Sequence, residues 1–168
     1  MNKHMEKPKN EVTKRSDSGA TLLEMRLDAN RFPRLRRYSR EDAIFQMSRI
    51  VSQAFLYKGQ MADDNNIQYI SAALVDELRE DDAHGAQNIC FAEIAKVVKR
   101  AVLAEELFGI SVASLYKVIM DYVKGEGTRL QNEANEIEQR RRLNALKTSG
   151  VNPMILAATG QFIKSNKI

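Results

Sequence analysis

A chain of 168 residues has room for one domain with a substantial core and is short for two. Its hydrophobic fraction of 43% beside 29% charged residues places it with globular rather than disordered proteins. The single cysteine, Cys90, excludes an intramolecular disulfide and any multi-cysteine metal site, and no run of 18 uncharged apolar residues is present to span a membrane.

The net charge of +4 is unevenly spread. Residues 1–60 carry 13 Lys/Arg against 7 Asp/Glu, residues 61–95 one against 8, and residues 96–168 12 against 7. Two basic blocks therefore flank an acidic middle. Such blocks permit contact with nucleic acid, and equally a match of opposite signs within or between chains. The opening MNKHMEKPKNEVTKR is polar and lacks the apolar centre of a signal peptide, so a cytoplasmic location is expected.

Residues 1–19 read as a disordered basic tail, with almost nothing apolar to bury. A short helix is predicted from Thr21, with Leu22, Leu23, Met25 and Leu27, ending by Phe32-Pro33 because the residue before a proline leaves the helical region. Ser39-Arg40-Glu41-Asp42 has the form of a capping box. The apolar spacing of Ile44, Met47, Ile50, Val51, Ala54 and Phe55 then predicts an amphipathic helix that stops at Gly59. A second helix is expected from Asp63-Asp64, with Ile67, Ile70, Leu74 and Leu78 inward, dissolving into residues 80–85. A third runs from Phe91 to Leu107, a fourth from Ser111 to Lys124. Gly125 and Gly127 are expected to loosen the chain. Thr128 to Lys147 reads as a charged helix with thin apolar content (Leu130, Ala134, Ile137, Leu143, Leu146), either an exposed arm or a partner helix. A turn at 149–153 and a last short helix from Met154 to Lys164 complete the reading.

No segment has a strand's alternation, so the expected fold is all-α: a small bundle of about four core helices with a flexible basic N-terminal tail and a charged C-terminal helical arm. The divisions are 1–19, a helical core of 20–126, and a C-terminal extension of 127–168.

Three segments invite a functional reading. In LFGISVASLYKVI, Gly109 can supply a turn, Ile110 a plug and Ser111 a cap, so that Ser114 and Lys117 would lie outward on a reading helix. Ala104-Glu105-Glu106-Leu107-Phe108-Gly109-Ile110-Ser111 resembles the A-E-E-L-G-I-S text of bacterial helix-turn-helix regulators, with one residue more between Ala and Gly. That residue turns the first helix by about 100° and sets Glu105 where a small residue normally sits at the crossing. A structural corner is the alternative. Second, Arg31, Arg34, Arg36, Arg37 and Arg40 are five arginines in ten residues, interleaved with Phe32 and Tyr38, a composition suited to gripping phosphates and stacking bases. Pairing of these arginines with the acidic segment 76–82, or plain solvation, is the alternative. Third, Arg140-Arg141-Arg142 follows Glu133, Glu136 and Glu138, and i,i+4 pairs such as Glu136–Arg140 and Glu138–Arg142 account for it.

Catalysis finds little support. His4 lies in the tail and His84 beside Asp81, Asp82 and Gly85, a spacing that matches no ligand set. Gly125-Glu126-Gly127 lacks the Lys-Ser/Thr of a P-loop. Cys90, in the apolar run Ile89-Cys90-Phe91, reads as a buried thiol. No catalytic residue, metal or cofactor is expected.

From Tyr38 to Asn132, and above all in ICFAEIAKVVKRAVLAEELFGISVASLYKVIMDYVK (Ile89–Lys124), the chain resembles a group of small, uncharacterised helical proteins encoded by phages and mobile elements. The resemblance implies an accessory role near replication, such as loading or recruiting a helicase, and offers no catalytic residue. The expectation is thus a non-enzymatic accessory protein of DNA metabolism with DNA and a protein partner from replication or assembly. The rivals are a structural component of a phage particle, a self-associating helical module and an adaptor of a host protein.

Overall fold

The structure, a computed structural model, describes residues 19–81 and 83–148. The expected tail, the turn at 149–153 and the last short helix lie outside the described residues. The framework consists of α1 (Leu22–Leu27), α2 (Arg40–Tyr57), α3 (Asp64–Glu80), α4 (Phe91–Leu103), α5 (Val112–Tyr122) and α6 (Thr128–Thr148), with short 3-10 turns at Leu35–Arg37 and Ala86–Asn88. The fold is all-α. Among the described residues the one β-type pairing is an isolated antiparallel bridge between Arg34 and Cys90, where the Leu35 N–H donates to Ile89 O at 2.8 Å.

Helix starts follow the capping chemistry in the sequence. Ser39 Oγ accepts from the Asp42 N–H at 3.0 Å, Asp63 Oδ1 from the Asn66 N–H at 2.7 Å, and Ser111 Oγ from the Ser114 N–H at 3.2 Å. At α4 the reach is reversed: Glu93 Oε2 accepts from the Cys90 N–H at 3.0 Å, satisfying a donor that the helix leaves open.

Two helix ends share one geometry. After α2, Gly59 takes φ 68°, the Gly59 N–H bonds Leu56 O, and the Gln60 N–H bonds Phe55 O. After α4 the same pair of bonds runs from the Glu105 N–H to Val102 O and from the Glu106 N–H to Ala101 O. Both are Schellman turns. The second is made by Glu105 at φ 58°, not by Gly109, whose φ is not positive. α4 therefore ends at Leu103, four residues before the expected Leu107.

The chain does not loosen at Gly125 and Gly127. α5 continues through one wide π turn (Val123–Gly127) straight into α6, so the expected boundary at 126/127 falls inside a continuous helical run. Gly127 is buried there, and Leu130 and Ala134 are buried against α1 and its surroundings. Beyond Ala134 the packing thins: Leu143 is exposed, and i,i+4 pairs Arg140–Glu136 and Arg142–Glu138 cover the surface.

α2 packs on α3 and α4, α5 packs on α3 and α4, and α1 joins α4 to α6. α2 and α4 run side by side in one direction: Tyr38 meets Phe91 edge-on at 5.1 Å near their starts, and Lys99 Nζ lies 5.4 Å from the Tyr57 ring centre near their ends. Leu74, Leu78, Ile94, Leu115 and Ile119 are fully buried between these helices. Each such side chain contributes about 1.5–3 kcal/mol on burial, well above the few tenths of an exposed helical ion pair. The packing of α2–α5 therefore determines the fold, and the charge pattern of α6 does not.

Candidate anion site around the arginine segment

The arginine segment is anchored from below. Leu35 is fully buried, holding the 3-10 turn Leu35–Arg37 against the core. That anchor divides the five arginines.

Arg34 turns inward. Its side chain is 9% exposed, with Nη1 3.4 Å from Glu93 Oε2 and Nη2 donating to Arg26 O at 2.7 Å. Its guanidinium is thus engaged inside the protein, contrary to the expectation of an outward phosphate contact. The reason is Glu93, which is fully buried and demands cations: Arg26 Nε donates to its Oε1 at 2.5 Å, and Tyr122 Oη to the same oxygen at 2.8 Å. Burial, then the Glu93 charge, pushes the Tyr122 hydroxyl far up, and the same two causes raise the Cys90 thiol to about 11. One carboxylate thereby ties together α1, the arginine turn, α4 and α5. Arg26 Nη1 also donates to Gln131 Oε1 at 3.1 Å and brings in α6.

Arg40 makes the alternative pairing with the acidic middle. Its Nε and Nη2 donate to Asp76 Oδ1 and Oδ2 at 2.8 and 2.6 Å, a two-pronged contact that holds the Asp76 carboxyl below the usual carboxylate range. Arg31 is exposed, with Cζ over the Phe32 ring at 5.0 Å from its centre. Arg36 and Arg37 are exposed, with no hydrogen bond or ion pair among the described residues. The aromatic partners do not offer stacking faces: Phe32 is buried, and Tyr38 is half-buried with its contact on Phe91.

At the corner, residues 104–111 connect α4 to α5, longer than the three- or four-residue turn of a helix-turn-helix. Ser114 is used locally, its Oγ donating to Gly109 O at 2.7 Å while capping Ser111. Lys117 is exposed, and Phe108 is fully exposed. The corner does not bring Ser114 or Lys117 near the arginine turn, since α5 starts at the far end of α4 from Phe91.

His84 Nδ1 lies 3.0 Å from Asp81 Oδ1, and no three His, Cys, Asp or Glu side chains gather in a metal-binding cluster among the described residues.

A cleft of about 700 Å³ opens beside the buried cluster, between the end of α1, the arginine turn, residues 84–89 and the first turns of α6. The buried Arg26 and Arg34, which make its floor, and the exposed Arg36 and Arg142 all line it. The amides of Asn88, Gln131, Asn132 and Asn135 line it too, with the His84 imidazole, the Thr128 hydroxyl and the apolar Ile89 and Val123. No Asp or Glu lines it among the described residues. Sequence reasoning missed Arg26, Glu93 and the α6 amides. The available signal was Glu93, an acid at the third helical position of an otherwise apolar start, and a capping role explains it without any distant partner.

No helix among the described residues is long and apolar enough to cross a membrane. Comparison of the chain with known protein families, with curated proteins and with solved structures finds no match.

Proposed function

We propose that this protein is a non-enzymatic accessory protein of DNA metabolism from a phage or mobile element, touching the nucleic-acid backbone with Arg36 and Arg37 and taking a protein partner on the outer half of α6. The observation that carries the reading is the pair Arg36 and Arg37: exposed, without an ion-pair partner among the described residues, and carried on a turn whose Leu35 is fully buried. The core holds the backbone of the turn, so main-chain freedom is already spent when the two guanidiniums meet phosphates, and each neutralised phosphate releases counterions. Arg31 stands in the same segment and Lys117 on a separate face.

Salt-series fluorescence anisotropy with labelled single- and double-stranded DNA tests it. Affinity falls steeply with salt, and Arg36→Ala with Arg37→Ala weakens binding while the unfolding midpoint stays in place. Absence of binding at 50 mM salt would sink the proposal.

A second reading, an assembly component, is favoured by the exposed Leu56, Met61, Leu103 and Phe108 near the ends of α2 and α4. Size-exclusion light scattering separates the two: a large concentration-dependent assembly without DNA binding supports the second.

A further inference from the structure

We infer that the cleft between α1, the arginine turn and α6 binds a phosphate monoester on a polar, hydroxyl-bearing carrier. The inference goes beyond backbone contact by Arg36 and Arg37 and rests on the charge of the cleft floor. Arg26 and Arg34, with side chains 6% and 9% exposed, share one carboxylate, Glu93, which is 0% exposed. Two cations against one anion leave one positive charge uncompensated in a desolvated place, and such a charge is costly unless an anion meets it. In the lining, Arg36 adds a second charge without an ion-pair partner among the described residues, whereas Arg142 is engaged with Glu138 at 3.1 Å. Two unmatched positive charges and no carboxylate in the lining suit a dianion. A phosphate monoester near neutral pH carries close to two negative charges, while a phosphodiester carries one.

The rest of the lining describes the carrier. Asn88 and Asn132 bring both donors and acceptors, the complement of hydroxyl groups, while Gln131 and Asn135, whose oxygens already accept from Arg26 and Gln131, add N–H donors. Among the described residues no Phe, Tyr or Trp lines the cleft, and the His84 imidazole is its one aromatic ring, so a base has only that small face to stack on. A volume of about 700 Å³ exceeds what a phosphate fills and leaves room for a sugar. A sugar phosphate is the shared chemistry. It can come from the phosphorylated end of a nucleic-acid strand or from a free small molecule.

The test uses the full chain. Isothermal titration compares ribose 5-phosphate with ribose at matched ionic strength, and anisotropy compares a 3′-labelled oligothymidylate carrying a 5′-phosphate with one carrying a 5′-hydroxyl. Ribose 5-phosphate binds and ribose does not. Asn132→Asp, an exposed position where the new carboxylate enters the cleft, weakens binding at least tenfold, and Asn135→Asp does the same should the first variant fold poorly by circular dichroism. Arg49→Ala, an exposed position on α2 outside the cleft, leaves ribose 5-phosphate binding unchanged. A strand end is the source if the 5′-phosphate strengthens oligonucleotide binding tenfold or more. A free ligand is the source if ribose 5-phosphate binds as tightly as the phosphorylated strand. Retained ribose 5-phosphate binding without any duplex affinity supports the cleft and counts against the DNA reading. Equal response to ribose and ribose 5-phosphate with no gain from the 5′-phosphate, or binding untouched by both Asp variants, overturns the inference.

Discussion

Glu93 Oε1 lies 2.5 Å from Arg26 Nε, although the two residues are 67 positions apart in the chain. The same carboxyl group receives Tyr122 Oη, the Cys90 N–H and the Arg34 guanidinium. A buried ion cluster of this kind is a weak source of net stability, because desolvating its members costs about as much as their attraction returns. What it does strongly is penalise the loss of any one member.

Glu93→Ala is therefore expected to destabilise by about 3–5 kcal/mol, since two buried guanidiniums lose their shared anion. Glu93→Gln keeps the shape and the acceptor but not the charge, and should lie between the wild type and the alanine variant. Urea unfolding followed by far-ultraviolet circular dichroism measures both. A loss under about 1 kcal/mol for Glu93→Ala would mean that water from the cleft replaces the carboxylate on Arg26 and Arg34.

Alkaline pH tests the same cluster from the other side. Burial and the Glu93 charge lift the Cys90 thiol from its ordinary 9.0 to about 11. For a group whose pKa is raised in the folded state, the stabilising contribution is full below the unfolded pKa and falls away as pH rises. Between about pH 9 and 11 the unfolded chain ionises Cys90 first, so stability drops, by a contribution of the order of 2–3 kcal/mol from this thiol. Tyr122 shifts in the same direction and from the same causes. Unfolding midpoints of wild type and Cys90→Ala should converge as pH rises through this window. Parallel curves would show that Cys90 is not held in the neutral form. In the native protein near pH 8, thiol reagents should modify Cys90 slowly and only through opening.

Glu105 and Gly59 show where sequence reading succeeds and where it stops. Gly59 is legible because glycine is the residue that tolerates φ 68° without strain, and its place after an apolar stripe marks a helix end. Glu105 makes the same turn at φ 58° with the wrong residue for it. Gly109, nearby, drew the turn away from its true place. The core stripes of α2–α5 were likewise legible, since period and burial coincide there. The site was less so: Arg34 and Arg36 are two residues apart and identical in type, yet one is buried and the other exposed. Only Glu93, brought in by the packing of α4, distinguishes them.

Glu105→Gly should accordingly stabilise the protein by about 0.5–1 kcal/mol, relief of left-handed strain outweighing glycine's greater freedom in the unfolded chain. Gly59→Ala should destabilise by about 1–2 kcal/mol from the same strain, although its methyl group would meet nothing within 4 Å. Thermal unfolding of the two variants provides the check. A destabilised Glu105→Gly would place the α4 end elsewhere.

The two glycines of the α5–α6 joint should respond in opposite directions to the same substitution. At Gly125 an added Cβ meets nothing within 4 Å and the residue is exposed, so Gly125→Ala removes unfolded-state freedom and stabilises by about 0.4–1 kcal/mol. At Gly127 the Cβ would lie 3.0 Å from Tyr122 O, 3.2 Å from Tyr122 Cε1 and 3.3 Å from Arg26 Nη2. The carbonyl belongs to the helix backbone and cannot step aside. The ring is held by its hydroxyl on Glu93, and the guanidinium by the same carboxylate. Crowding of about 1–3 kcal/mol then exceeds the entropic gain, and Gly127→Ala destabilises by about 1–2 kcal/mol. Urea midpoints of the two single variants decide it. Equal stabilisation by both would mean that α6 is not pressed against the Arg26–Glu93–Tyr122 cluster, and the wall of the cleft would lose its anchor.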